Sequence, residues 1–312
     1  MLTELGLTNF KSWKQIDSMK LAPITGLFGA NSSGKTSILQ LLLMLKQTVE
    51  SPDRALAFQF GDDRSLTNLG SFRDTVYSHE KPGRLRFGLS WHLPKPLKIS
   101  DPTVQKATLF EGKAMDFQTV VVENGAGRLV VERLSYGFAG HRFTMRRKGE
   151  GETKYELQAE DGQFRFIRTQ GRPWDLPPPI KCYGFPDQAK AYYQNAGFLA
   201  DLQLAFEKLF SRLYYLGPLR EYPQRQYTWA GAEPADMGRR GERAVDALLA
   251  ARERGAMISR GKGRSKMALE EYVAYWLKEL GLIHDFAVEA IAKESNLYRV
   301  LVQKTPKAAK VL

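Results

Sequence analysis

The 312-residue chain contains one cysteine and four histidines, and this scarcity excludes several kinds of protein. A single thiol, that of Cys182, cannot form an internal disulfide, so a small secreted fold held together by disulfides is excluded. The histidines are scattered along the chain, and none stands at metal-ligand spacing from the cysteine. The composition therefore predicts neither a disulfide framework nor a histidine–cysteine metal site.

Long apolar runs, internal repeats and sustained heptads are also missing. The longest mainly apolar stretch, residues 38–45, is far too short to span a bilayer. Residues 1–14 lack the apolar core of a secretory signal. Together with the single cysteine, these absences predict a cytoplasmic protein with no membrane partner.

The most informative stretch that is present is GANSSGKT at residues 29–36, which matches the phosphate-binding pattern G-x-x-x-x-G-K-[ST] without a mismatch. Residues 23–28 before it predict a short apolar strand, and residues 37–45 after it predict a buried helix. Glycines let the backbone approach an anion, and successive N–H groups at a helix N-terminus attract phosphate. The pattern and its context therefore predict a nucleoside-triphosphate site.

Two side chains of this loop have an expected role. The ammonium of Lys35 suits the β- and γ-phosphates, and the Thr36 hydroxyl is placed to ligate Mg²⁺. The predicted cofactors are therefore ATP and Mg²⁺, with Thr36 as the predicted metal ligand. The predicted phosphate-binding residues are Gly29, Ala30, Asn31, Ser32, Ser33, Gly34, Lys35, Thr36 and Ser37.

Apolar periodicity predicts strands on both sides of the loop and helices further along the chain. The predicted strands are residues 2–7, 15–21, 84–91, 103–110, 117–123, 128–136, 142–147, 154–158, 164–168, 213–216, 285–291 and 297–303. The predicted helices are residues 188–212, 241–254 and 268–280. Two hairpin turns are predicted, one at residues 124–127 and one at residues 294–296, and residues 174–179 predict a break.

A net charge of +12 makes nucleic acid a candidate partner. Two stretches concentrate the positive charge, residues 141–148 and residues 252–266. The second predicts a flexible loop between two helices. Its cations are Arg252, Arg254, Arg260, Lys262, Arg264 and Lys266, with glycines between them. Such a loop suits phosphate contact, and it is equally typical of a solvated surface.

The opening LGLTNFKSW at residues 5–13, followed closely by the phosphate loop, resembles the heads of ABC-type ATPases of the SMC, RecF and OLD group. The segments GSFRD at residues 70–74, LGPLR at 216–220 and GRRGE at 238–242 resemble motifs of compact bacterial AAA-labelled ATPases in that group. Many of those act in anti-phage defence, and some stand beside a TOPRIM nuclease. The resemblance implies that Lys11 lies near the nucleotide phosphates and that Arg220 makes a polar contact near the head.

The resemblance also implies a fold class, namely α/β, a P-loop NTPase of ABC-type head with a β-rich insert and a helical region. Residues 1–83 would form the N-terminal lobe of the head, and residues 84–187 the β-rich insert. Residues 188–312 would form the helical region that returns toward the head. The expected partner is a second ATPase head, either another copy or a split partner, and DNA and a nuclease are further candidate partners.

Hydrolysis by such a head needs three parts that the sequence lacks: a Walker B strand ending in Asp-Glu, a signature loop resembling LSGGQ, and a switch histidine. Residues 120–123 (VVVE) and 129–132 (LVVE) imitate Walker B, but they face each other across a predicted hairpin turn. In the family the missing parts lie after the insert. We therefore expect the chain to be the N-terminal part of a longer or split ATPase, and no catalytic residue is assigned.

Two functions remain open at this point. In the first, ATP-driven dimerisation of an ABC-type head regulates DNA processing or phage defence. In the second, the chain is a nucleotide-binding interaction module without autonomous hydrolysis. A GTPase is disfavoured because no N-K-x-D motif occurs, and a small nucleotide kinase is disfavoured by the long β-rich insert.

Overall fold

The structure, a computed structural model, divides into two units, residues 1–213 and residues 214–312. It describes residues 1–79, 83–100, 108–149, 151–160, 162, 164–171, 175–293 and 295–311. Within these ranges, no helix combines the length and the apolar character that a bilayer crossing requires. The functional boundaries predicted after residues 83 and 187 stay predictions.

A seven-stranded sheet in the order β2-β1-β3-β4-β5-β6-β7 organises the first unit, and all its paired strands are antiparallel. The strands are β1 (Leu2–Phe10), β2 (Trp13–Lys20), β3 (Arg84–Ser100), β4 (Thr108–Glu123), β5 (Leu129–Phe138), β6 (His141–Arg147) and β7 (Tyr155–Ala159). The period-two pattern is thus confirmed for most of the predicted strands. Mixed α/β architecture is confirmed as well, with the sheet antiparallel throughout its described part.

One face of the sheet carries the core, because alternate residues of each strand point to the same side. In β3 the inward residues Leu85, Phe87, Leu89 and Trp91 are all buried. In the described part of this unit, four α-helices accompany the sheet, α1 (Lys35–Glu50), α2 (Phe72–Thr75), α3 (Gln188–Tyr192) and α4 (Leu199–Ser211), with a 3-10 turn at Tyr77–His79. A cluster of aromatic rings joins the sheet to α4, centred on fully buried Phe206.

Three predicted strands are wrong. Residues 23–28, 164–168 and 213–216 are irregular, apart from one isolated bridge between Arg168 and Tyr193. Their apolar composition resembles that of strands, but a strand needs a hydrogen-bonded neighbour, and none of these segments gains one among the described strands. The segment before the phosphate loop is therefore exposed to solvent.

The predicted helix at residues 188–212 is also wrong in its extent, because it is two helices separated by residues 193–198. Asn195 explains the interruption. Its side-chain oxygen accepts the Ile167 N–H and its amide nitrogen donates to the Arg165 carbonyl, both at 2.9 Å. These bonds satisfy backbone groups of the irregular segment 164–168 and keep residues 193–198 out of a continuous helix.

Several turns follow local sequence rules. The predicted hairpin turn at residues 124–127 is confirmed, with the Asn124 side-chain oxygen accepting the N–H groups of Ala126 and Arg128. The turn between β1 and β2 is tight, since Phe10 pairs with Trp13. Parts of other predictions lie outside the described residues, namely residues 103–107, 174 and 294.

The second unit contains a three-stranded sheet in the order β11-β12-β8, a two-stranded hairpin and two helices. Its elements are β8 (Tyr227–Thr228), α5 (Ala244–Glu253), β9 (Met257–Ile258), β10 (Met267–Ala268), α6 (Leu269–Glu279), β11 (Asp285–Ala290) and β12 (Leu297–Gln303). The two predicted helices and the predicted pairing of the last two strands are confirmed. The basic stretch predicted as a loop between two helices does lie between α5 and α6, and it contains the β9–β10 hairpin, whose connecting loop carries most of the charge.

Phe206 offers a test of the aromatic core. We expect Phe206→Ala to lower the free energy of unfolding by about 3–5 kcal/mol, because the truncation leaves a cavity among packed rings. Leu204→Ala on the exposed face of the same helix is the control, with an expected change within about 0.5 kcal/mol. Urea unfolding followed by circular dichroism measures both values, and equal changes would contradict this packing.

A candidate nucleotide-binding site at the start of helix α1

The predicted phosphate loop has backbone φ angles that residues other than glycine rarely adopt. Gly29 and Gly34 have φ angles of 148° and 89°, and Ser32 lies in the left-handed region with a φ of 62°. Helix α1 begins at Lys35, two residues before the buried helix predicted at residues 37–45, and Gly34 is its N-cap. The loop therefore ends directly on the N-terminus of a 16-residue helix, which carries the positive end of the helix dipole.

The N–H groups of this loop are largely free of intramolecular acceptors. Among the described residues, the N–H groups of Asn31, Ser32, Gly34, Lys35 and Thr36 have no backbone or side-chain acceptor. The first turn of α1 also has no acidic residue and no capping side chain. Orphan donors at a helix N-terminus form a site that favours an anion, and here nothing from the described chain neutralises it.

The Lys35 side chain folds back over the loop. Its ammonium donates to the carbonyl oxygens of Gly29 at 2.7 Å and Ala30 at 2.6 Å, and lies 3.5 Å from the Ser33 hydroxyl. Phosphate oxygens are stronger acceptors for an ammonium than carbonyl groups are. The neighbouring Thr36 is exposed and Ser37 is buried, so the Thr36 hydroxyl is the more accessible of the two.

The turn between β1 and β2 forms the wall behind the loop. The indole Nε1 of Trp13 donates to the Gly34 carbonyl at 2.9 Å, and the hydroxyls of Ser12 and Ser37 are 3.5 Å apart. A Cβ atom on Gly34 would lie 2.2 Å from Ser12 Oγ and 2.8 Å from Trp13 Nε1. Glycine is therefore required at this position both for its φ angle and for space.

Ser12 and Trp13 were not predicted as site residues, although they lie in the opening motif that carries the resemblance. The tryptophan that ends this motif, with its indole N–H, was the available signal. Their neighbour Lys11, which was predicted, has a φ of 51° and donates its N–H to the Thr75 carbonyl at 2.7 Å. The structure thus places Lys11 in the turn that contacts the loop, while its approach to phosphates stays a prediction.

Helix α2 anchors that turn from the other side. Ser71 and Asp74 form a capping box, in which the Ser71 hydroxyl and N–H both donate to the Asp74 carboxylate. These hydrogen bonds, that from the hydroxyl first, hold the pKa of Asp74 below its usual range. The GSFRD segment is therefore a helix start that supports the site from behind.

Other residues considered from the sequence have hydrogen-bond partners within their own units. Arg220 lies in the second unit, where its guanidinium donates to the Gly217 carbonyl. The two runs that imitate Walker B pair with each other, Val121 opposite Val131, and Glu132 receives two hydrogen bonds of 2.9 Å from Arg84. Across the described residues, no carboxylate hydrogen-bonds to residues 29–37, and no group of three metal-binding side chains occurs.

Comparison with known proteins agrees with this geometry. A family model described as "AAA domain, putative AbiEii toxin, Type IV TA system" matches residues 24–106, which include the loop, α1 and all of β3. The match supports a P-loop AAA-type ATPase family and, with it, nucleotide binding. A search of curated proteins finds no match.

The steric requirement for glycine at position 34 can be tested by comparing the stability loss of Gly34→Ala with that of a second glycine substitution. Gly140 has a similar φ angle of 84° but open space around its Cβ position, so Gly140→Ala reports the backbone cost alone. We expect about 1 kcal/mol for Gly140→Ala and a clearly larger loss for Gly34→Ala, because Ser12 and Trp13 must also move. Urea unfolding measures both, and equal losses would show that the turn does not confine the loop.

Proposed function

We propose that this chain binds ATP together with Mg²⁺ through residues 29–37. The observation that carries the proposal is the row of unpartnered N–H groups at the N-terminus of α1, with the Lys35 ammonium above them. Both features supply positive potential to one concave stretch of backbone. The family match, which includes this stretch, supports nucleotide binding independently of the geometry.

In this proposal each group of the loop has one task. The unpartnered N–H groups of the loop and of the first residues of α1 bind the phosphate oxygens, and Lys35 leaves its carbonyl partners to neutralise the β- and γ-phosphates. The Thr36 hydroxyl, exposed at the first turn of α1, ligates Mg²⁺. Lys11 contributes a further positive charge from the β1–β2 turn. ATP and Mg²⁺ supply the charged phosphates and the metal that this chain's residues hold and orient.

We further propose that ATP joins two copies of the chain as ABC-type heads, and that this assembly regulates DNA processing or phage defence, with a nuclease as effector. The exposed apolar segment before the loop supports a protein partner there. Ile24 and Phe28 are 93% and 94% exposed, although both are large and apolar. Exposed apolar side chains on such a segment favour burial against another surface.

A second candidate function is a nucleotide-binding interaction module without hydrolysis of its own. It is favoured by a specific observation, the absence of any carboxylate bound to the loop within the described residues. Hydrolysis at a P-loop needs a group that orients the attacking water. In a split arrangement, another polypeptide would supply that group.

Lys35→Ala tests nucleotide binding. We expect the affinity for a fluorescent ATP analogue with Mg²⁺ to fall at least tenfold, because the ammonium is the charged donor at the loop. Lys113→Ala, which removes an exposed lysine of β4, should leave the affinity unchanged. Thr36→Ala should lose mainly the Mg²⁺-dependent part of binding. Equal affinities for the wild type and Lys35→Ala would refute the proposal.

The assembly and the hydrolysis are tested together. Light scattering after gel filtration should show a dimer with ATP and Mg²⁺, and a monomer for the Ile24→Ser, Phe28→Ser double variant with nucleotide binding retained. Ile167→Ser, another exposed apolar position, is the control and should still dimerise. A wild type that binds ATP, stays monomeric and turns over no faster than Lys35→Ala would establish the interaction module instead.

A further inference from the structure

The β9–β10 hairpin of the second unit carries positive charge that nearby residues leave unneutralised. No aspartate or glutamate occurs in residues 255–269. Arg260, Lys262, Arg264 and Lys266 all lie on the loop that joins the two strands, and the last three are exposed. Four cations within seven residues therefore stand on one protruding turn.

The structure separates these cations from two neighbouring arginines that serve the fold. Arg252 pairs with Glu270 and donates to the Val288 carbonyl at 2.7 Å, which ties α5 to α6 and β11. Arg254 pairs with Glu233. Of the six cations that the sequence places in this stretch, these two are therefore neutralised.

The hairpin cations have no such carboxylate partners. In the described part of the chain, Lys262, Arg264 and Lys266 take part in no ion pair. Arg260 lies over the ring of Tyr275, with 4.5 Å between its Cζ atom and the ring centroid. This cation–π contact orients the guanidinium at the base of the loop without cancelling its charge.

Glycines make the tip of the hairpin narrow and accessible. Gly261 and Gly263 have φ angles of 104° and 79°, and no atom lies within 4 Å of either Cβ position. The Arg264 N–H closes the turn onto the Gly261 carbonyl at 3.3 Å. The backbone at the tip is thus uncovered, and the cations project from a turn rather than from a flat surface.

We propose that the tip of the β9–β10 hairpin binds the phosphodiester backbone of nucleic acid. Unpaired lysines and arginines on an exposed turn match phosphate oxygens in charge and in hydrogen bonding. Between Ser259 and Lys266 there is no apolar or aromatic residue, so neither insertion into lipid nor base stacking is favoured. Binding is therefore independent of base sequence and sensitive to salt.

This inference does not rest on the nucleotide site, and its experiment keeps the two separate. Fluorescence anisotropy of a labelled mixed-sequence DNA duplex of about 30 base pairs measures binding by the full chain across a salt series. The test variant combines Lys262→Gln, Arg264→Gln and Lys266→Gln. We expect its affinity at low salt to fall at least tenfold, and the slope of log affinity against log salt to lose about 2–3. Lys35→Ala should bind DNA like the wild type.

The matched control removes three exposed cations from the first unit, Lys95→Gln, Lys113→Gln and Arg128→Gln, and should change affinity less than twofold. A second arm with duplex RNA shows whether either phosphate backbone is accepted. Equal losses of DNA affinity in the hairpin and control variants would show that only the net charge of the chain matters, and would overturn the proposal. Binding of the hairpin to phosphatidylserine vesicles but not to duplexes would overturn it in favour of a membrane surface. Circular dichroism checks that the variants fold, and single glutamine substitutions replace any triple variant that does not.

Discussion

The contact between Gly34 and the turn joining β1 to β2 is the constraint on which the candidate site depends. Trp13 holds the Gly34 carbonyl, Ser12 occupies the space that a side chain would need, and Lys11 ties the turn to Thr75. The turn belongs to the seven-stranded sheet, so the position of the loop is set by the sheet. A phosphate loop needs this rigidity because its donors act only when they converge on one anion.

The two ends of helix α1 differ in whether their backbone polar groups already have partners. Its middle is fixed by burial, with Leu41 and Met44 fully inaccessible. At its C-terminus the Lys181 ammonium donates to the carbonyls of Val49 and Ser51, at 3.0 and 2.7 Å, and burial lowers the pKa of this lysine. The negative end of the dipole is thus already satisfied by a cation, whereas the positive end carries unpartnered N–H groups. This asymmetry makes the N-terminus the place for an external anion.

Much of the fold was predictable where neighbours along the chain decide the structure. The start of α1 at Lys35, the turn at residues 124–127 and most strands of the large sheet follow from local pattern. The wrong predictions fall in segments whose structure depends on a partner far away in the chain. Residues 23–28 have the composition of a strand but no neighbour, and Asn195 breaks a helix by bonding to residues near 166. The composition of a segment indicates which secondary structure it favours, but it does not show whether a partner segment lies beside it.

The sequence by itself determined the phosphate loop and its glycines, because the φ angles and the helix start they require are local properties. It also determined which cations exist. Only the tertiary structure decided that Ser12 and Trp13 lie against the loop. It also decided which of the basic residues form ion pairs within the described chain: Arg252 and Arg254 do, whereas Lys262 does not. The physical reason is that hydrogen bonds and ion pairs act over a few ångströms in space, and their partners here lie about 20 residues away in the chain.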